Sequence, residues 1–289
     1  CSRERTHMMW FDATANWERL GRVAGIQEMM RKCRDAGITD VIIDVKPTSG
    51  RVLYRSDIAE QMHTWKGVKR DSSFDFLAEA IRAGRAHGLT VHAAMNVFSE
   101  GNRLAGEGLV LEEKPEWQTI LNTPEGLKPI SEVEGKVSMF VNPVRKDVVR
   151  YELLLIREIV SRYEIDGLIL DRGRFDSIQS DFSDSSRAAF EQFLGKPLQN
   201  WPEDIFSWKK NPDNGEYEII QGPYFKEWIF WRSKHIHDFF KAARDVVKET
   251  NKDVLFGDYA GSWYPTYYEL GVNWASKSYQ PPYEWAVET

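Results

Sequence analysis

Short apolar runs that stop on polar residues recur along the chain, each preceded by a segment of helical period and a Gly or Asn. Arg34-Asp-Ala-Gly37 leads into Val41-Ile-Ile-Asp-Val-Lys46, and Arg85-Ala-His-Gly88 into Val91-His-Ala-Ala-Met-Asn96. Tyr163-Glu-Ile-Asp-Gly167 leads into Leu168-Ile-Leu-Asp171, and Thr250-Asn251 into Val254-Leu-Phe-Gly-Asp258. Helices alternating with such strands imply a parallel sheet. Strands are expected at 8–12, 39–46, 89–96, 166–171 and 253–258, with 137–141 as a sixth or an accessory strand. Val23, Ile26, Met30 and Cys33 step by three and four, one stripe of a helix that lies on a sheet. Gly37 and Gly88 stand where a helix C-terminus needs positive φ. Asn142-Pro143 offers an N-cap and a first-turn proline to a helix whose apolar face carries Val149, Leu153, Ile156, Ile159 and Val160. A further helical run covers 225–248.

Strands that end on a polar residue are how (β/α) barrels present catalytic groups. The expected fold is therefore α/β, a TIM (β/α)8-type barrel forming one domain over 1–289. A closed barrel needs eight strands, so the barrel is expected to be incomplete at its C-terminus, with the last strands missing. An open, doubly wound sheet is the competing architecture, although neither GxGxxG nor a Gly-rich phosphate loop occurs.

With 289 residues and 42% hydrophobic content, the chain can bury one substantial core. A net charge of −6 without a basic run argues against nucleic acid as a partner. No apolar run approaches the roughly 20 residues of a membrane span. Of the two cysteines, Cys33 sits on an apolar helix stripe and reads as a core residue, so no disulfide framework is expected. Cys1-Ser followed by Arg3-Glu-Arg-Thr-His7 resembles a bacterial lipoprotein after its signal is removed. That pattern implies a lipid anchor on Cys1 and a place on the bacterial cell envelope, periplasmic or at the outer surface, with no other membrane attachment.

The aromatic content, 11 Trp, 11 Tyr and 15 Phe, concentrates Trp and Tyr in expected loops. Trp263-Tyr264, Tyr267-Tyr268, Trp274, Tyr279, Tyr283 and Trp285 follow the strand that ends at Asp258, where aromatic faces could stack on sugar rings. His235 and His237, two apart in a helix, point to different faces, and HExxH and CxxC are absent, so neither a metal nor a cofactor is expected. No GxSxG marks a serine hydrolase. Carboxylates at strand ends remain: Asp12, Asp44, Asp171 and Asp258. Cleaving a glycosidic bond takes one protonated and one ionised carboxyl. Asp171 is the expected nucleophile or oxocarbenium stabiliser and Asp258 its partner acid. Asp12, Asp44, Lys46, His92, Asn96, Asn142, Arg172, Tyr259, Trp263, Tyr264, Trp274 and Tyr279 are the expected substrate-binding residues, with Arg172 holding Asp171 ionised or touching substrate.

Phe11-Asp-Ala-Thr-Ala-Asn16, Val45-Lys-Pro-Thr-Ser-Gly50 with Val52-Leu-Tyr54, Val91-His-Ala93, Val141-Asn-Pro143 and Asp166-Gly-Leu-Ile-Leu-Asp171 occur in that order. Together they resemble the bacterial glycosyl-hydrolase-like family 10, relatives of the α-amylase-type barrels. The resemblance runs from about Met8 to Trp285 and implies a glycosidase acting on O-glycosyl bonds of a polysaccharide or amino-sugar glycan. In that family the Asp-Gly strand commonly ends in two consecutive acids and a Tyr. Here Asp171 matches the first, and Arg172 and Gly173 replace the others. This departure favours a second expectation, a non-catalytic carbohydrate-binding lipoprotein on the same barrel. A sugar-phosphate or metal-dependent barrel enzyme is a third, disfavoured by the lack of ligand spacing.

Overall fold

A computed structural model describes residues 5–274 of the chain. Cys1, Tyr279, Tyr283 and Trp285 lie outside the described residues. Five parallel strands, β1 (Met8–Phe11), β2 (Asp40–Lys46), β3 (Thr90–Asn96), β4 (Gly167–Asp171) and β5 (Leu255–Asp258), lie side by side in chain order. The helices that join them are α1 (Val23–Asp35), α2 (Phe76–Ala86), α3 (Lys146–Arg162), then α4 (Asp184–Leu194) and α5 (Phe225–Thr250). Parallel strands need such crossovers, and the caps mark their ends. Asp75 accepts a hydrogen bond from the backbone N–H of Ala78 at the start of α2. Gly37 and Gly88 follow α1 and α2 at φ 79° and 65°.

Four of these helices, α1, α2, α3 and α5, pack on one face of the sheet, while α4 lies against α5. Val41, Ile43, Val45, Val91, Ala93, Met95, Leu168 and Leu170 bury against Ile26 and Met30 of α1, Leu77 of α2, Ile156 and Ile159 of α3, and Phe239 and Val247 of α5. Residues alternate faces along a strand, so Trp10, Ile42, Asp44, His92, Ala94, Asn96, Ile169 and Asp171 face the other way. One-sided helices and strands in unbroken sequential order are barrel features; a doubly wound sheet covers both faces and reverses its order. Among the described residues the sheet is a five-stranded arc with β1 and β5 as its edges. It curls enough for the rings of Trp10, on one edge, and Tyr259, just past the other, to meet at 5.1 Å between centroids.

The expected strand at 137–141 proves to be accessory: Ser138–Phe140 pairs antiparallel with Ser99–Asn102. Small hairpins, Thr64–Trp65 with Val68–Lys69, Ile120–Thr123 with Gly126–Pro129, and Phe206–Lys210 with Tyr217–Gln221, decorate the loops after β2, β3 and β4. A second, aromatic-rich cluster of Phe182, Phe190, Phe206, Trp228 and Trp231 holds α4 and the last hairpin onto α5.

Candidate active site

Parallel pairing carries the C-terminal ends of all five strands to one edge, where a cavity of about 350 Å³ opens. Asp12, Asp44, Asn96, Asp171 and Arg172 line it together with Trp10, Trp65 and Tyr259. Asp12 follows β1, and its Oδ1 accepts from Thr14 Oγ1 at 2.9 Å and the Ala15 N–H at 2.7 Å, which shapes the first loop. Asp44 comes up from β2 and is only 8% exposed, and its Oδ1 has no hydrogen-bond partner among the described residues. Burial, then the charge of Asp12 and that of Asp171, push the Asp44 carboxyl up to about 7, against a smaller opposing pull from the backbone of Ala13 and Lys46.

Asp171 ends β4 under the grip of Arg172. The Arg172 backbone N–H donates to Asp171 Oδ1 at 2.7 Å, and its Nη1 donates to Asp171 Oδ2 at 2.9 Å and to Asn96 Oδ1 at 2.8 Å. Arg172 reaches this pose with φ 57°, a left-handed conformation rare for a residue with a side chain. Asn96 is locked in turn, its Nδ2 donating to the Lys46 carbonyl at 2.7 Å. Both carboxylate oxygens of Asp171 are thus held in place by Arg172. The next residue must be small, because a Cβ on Gly173 would stand 2.3 Å from Phe240 Cζ.

Asp171, Arg172 and Tyr259 also form one wall of a second cavity of about 430 Å³, which continues to Asp258, Trp263 and Trp274. Asp258 alternates with Gly257 and Tyr259, so it leaves β5 on the helix-facing side. Asp258 keeps solvent access, yet the protein packed around it and, second, the Asp171 charge push its carboxyl up to about 7. Trp263, 52% exposed, lays its indole against the backbone of Gly261, where a Cβ would come within 2.5 Å of the ring. That leaves the other indole face to the cavity. Among the described residues no group of three or more His, Cys, Asp and Glu side chains converges to hold a metal ion.

A sequence profile of the family described as glycosyl hydrolase-like 10 matches residues 7–279. The chain belongs to the glycosyl hydrolase-like 10 family. An S-layer-related protein of Niallia circulans is 33% identical over 291 residues, which cover 94% of this chain and 18% of that relative. The chain thus spans less than a fifth of the length of the relative it matches. Alpha-L-fucosidase isoenzyme 2 from Paenibacillus thiaminolyticus superposes with a TM-score of 0.60 at 14% identity, over 90% of this chain and 33% of the fucosidase. The PgaB (BpsB) glycoside hydrolase domain from Bordetella bronchiseptica gives 0.60 at 12%, over 92% and 69% of the two chains. The catalytic domain of β-amylase from Paenibacillus polymyxa gives 0.54 at 12%, over 87% and 65%. At these identities the likeness concerns the fold, which is that of glycosidases with TIM-barrel-type architecture.

In this glycosyl hydrolase-like 10 chain the expected site residues divide sharply. Asp12, Asp44, Asn96, Asp171, Arg172 and Tyr259 line the first cavity, and Asp258, Trp263 and Trp274 line the second. Three others lie elsewhere. Between Asp44 and Lys46 the β2 register slips, so that Asp44 opposes Ala94 while Lys46 opposes Met95. The slip turns Lys46 to the helix side, fully buried, where its Nζ bonds Glu100 and the Asn96 carbonyl and lies 3.6 Å from Glu152. His92 sits toward the opposite end of its strand, its Nε2 2.9 Å from Asp40 Oδ1, with Gly167 beside it because a Cβ there would stand 2.3 Å from its Nδ1. Asn142 neither caps α3, whose N-cap is Arg145, nor lines either cavity. It starts a turn by accepting from the Val144 N–H at 2.9 Å and donates to Asp181 Oδ1 at 2.8 Å inside a buried network. The backbone at Tyr264 belongs to a short 3-10 turn, Tyr264–Thr266. The cavity walls Trp10 and Trp65 were not among the expected residues. For Trp65 the Lys66-Gly67 pair, at φ 47° and 80°, is a two-residue hairpin signal that would have located it.

Proposed function

We propose that this chain hydrolyses an O-glycosidic bond in a polysaccharide or amino-sugar glycan, with Asp171 as the ionised carboxylate and a neutral neighbouring carboxyl as proton donor. One observation carries the reading: Asp171, held by Arg172, stands between two carboxyls, Asp44 and Asp258, that are both pushed up to about 7. Pairs of carboxyls whose environments separate their proton affinities are what glycoside hydrolysis uses. Asp44 is the preferred donor, because it shares the inner face of the sheet with Asp171 and keeps a buried oxygen unpaired. Asp258, the acid expected from the sequence, is the second candidate. Family membership and the glycosidase-type fold support the reaction class, and the name of the S-layer-related relative supports a cell-surface setting.

Activated aryl glycosides test the assignment. Loss of the true acid spares substrates whose leaving group needs no proton, whereas loss of Asp171 spares none. Asp44→Asn should therefore abolish cleavage of natural glycans while retaining that of dinitrophenyl glycosides. If Asp258→Asn shows that pattern instead, Asp258 is the acid. Arg172, in place of the family's second acid, favours an alternative, a glycan-binding domain without turnover, which binding by a native protein that cleaves nothing would establish.

A further inference from the structure

The first cavity has a third neighbour. Beyond Trp65 and Thr14, which it shares with the Asp171 cavity, lies a compartment of about 570 Å³ walled by the Ala15–Arg19 turn and the Trp65–Val68 hairpin tip. The three compartments therefore form one series along the rim, joined at Trp65 and Thr14 on one side and at Asp171, Arg172 and Tyr259 on the other. Each junction carries an aromatic side chain, and Trp263 stands in the far compartment. The outer compartment is held by tertiary contacts and is not a loose loop: Trp17 Nε1 donates to the Val68 carbonyl at 2.9 Å, tying turn to hairpin. Arg70 stacks on Trp17 at 3.7 Å from the ring centroid and donates to the Trp17 carbonyl at 2.7 Å. On the other flank Asp12 Oδ1 fixes the start of the same turn, linking its shape to the carboxylate cluster.

We infer that this series is a single cleft for an extended glycan chain, with Asp171 in its interior, so that the chain is cut at internal bonds and not from an end. The inference rests on the glycosidase reading above and adds its mode and the length of its substrate. A pocket that removes terminal sugars is closed on one side of the reacting bond. Among the described residues the cleft continues past Asp171 in both directions, with Trp65 lining one side and Trp263 the other, where an aromatic ring can meet a sugar.

Length ladders of β-1,4-linked N-acetylglucosamine and β-1,4-linked glucose oligomers, disaccharide to octasaccharide, test this, with products separated by size. Internal cutting predicts that kcat/KM rises with each added sugar until the cleft is full, and that the first products of long oligomers are themselves oligomers. Trp65→Ala should lower kcat/KM by about tenfold for the longest oligomers, with a smaller loss for shorter ones, since ring stacking on one aromatic face is worth about a decade. Ala15→Trp, which fills the outer compartment from the exposed turn, should shift the cutting position toward one chain end. Release of only mono- or disaccharide from every substrate, or a Trp65→Ala loss independent of length, overturns the cleft while leaving the glycosidase reading intact. If the folded native protein neither binds nor cleaves any member of either ladder, the glycosidase reading on these linkages fails and the cleft falls with it.

Discussion

Asp44 gives the sharpest test because it ties stability to protons. Its carboxyl is lifted from the ordinary 3.8 to about 7 by burial and by two neighbouring carboxylates. At about 1.4 kcal/mol per pH unit, ionising it in the folded protein costs on the order of 4 kcal/mol relative to the unfolded chain, as an upper figure. The sign follows from proton counts. Between pH 4 and 7 the folded state holds a proton that the unfolded state has released, so stability falls as pH rises through that window and the penalty is complete above it. Asp44→Asn keeps the shape and never ionises. The variant should match the native protein at pH 4, where both carry a neutral group, and exceed it by a few kcal/mol at pH 8.5. Urea unfolding at the two pH values reads this directly as a shift in midpoint at constant slope. Equal midpoints at pH 8.5 would refute the reasoning, since they would mean that the Asp44 charge is solvated in the folded protein.

Lys46→Met should cost about 3–5 kcal/mol, because it strands Glu100 and Glu152 in the core; adding Glu100→Gln should recover part of that loss in the same unfolding assay. Asp171→Asn should leave the fold intact and lower turnover of any cleaved glycan at least about a hundredfold, with little change in binding, as steady-state kinetics would show. Arg172→Lys should cost less than Asp171→Asn if the guanidinium only orients the carboxylate, and as much if it grips substrate, because lysine cannot reproduce the fork. Trp263→Ala should weaken binding of a cleaved glycan about tenfold by calorimetry; an unchanged affinity would make that ring packing.

The rhythm of helix and strand was legible because each βα unit must bury a stripe and a strand against each other, and that requirement is written in local periodicity. Asp44 and Asp171 were legible for the same reason, as polar endings of apolar strands. Lys46 was not, since period-two reading aims it with Asp44 and the one-residue bulge that turns it inward leaves no mark in hydropathy. Glu100 and Glu152 sit far apart in sequence and become a buried charge cluster only when α3 docks under β2. Asn142 carries a cap-and-proline signature, yet its side chain is drawn into the Asp181 network and the helix begins at Lys146. Such outcomes depend on partners that no local window contains.

The placement of Asp171 beside both Asp44 and Asp258 couples the three carboxyls electrostatically. The Asp171 charge helps to keep both neighbours neutral. Anything that cancels that charge, whether a proton, a covalent bond to sugar, or an approaching cationic centre, lowers the affinity of both neighbours for their protons at once. Desolvation, the larger cause at both sites, persists, so each neighbour then gives up its proton more readily and is closer to acting as a base. Under the proposed chemistry, one charge on β4 would thus time the change of role on β2 and β5 within each turnover, without any part of the backbone having to move.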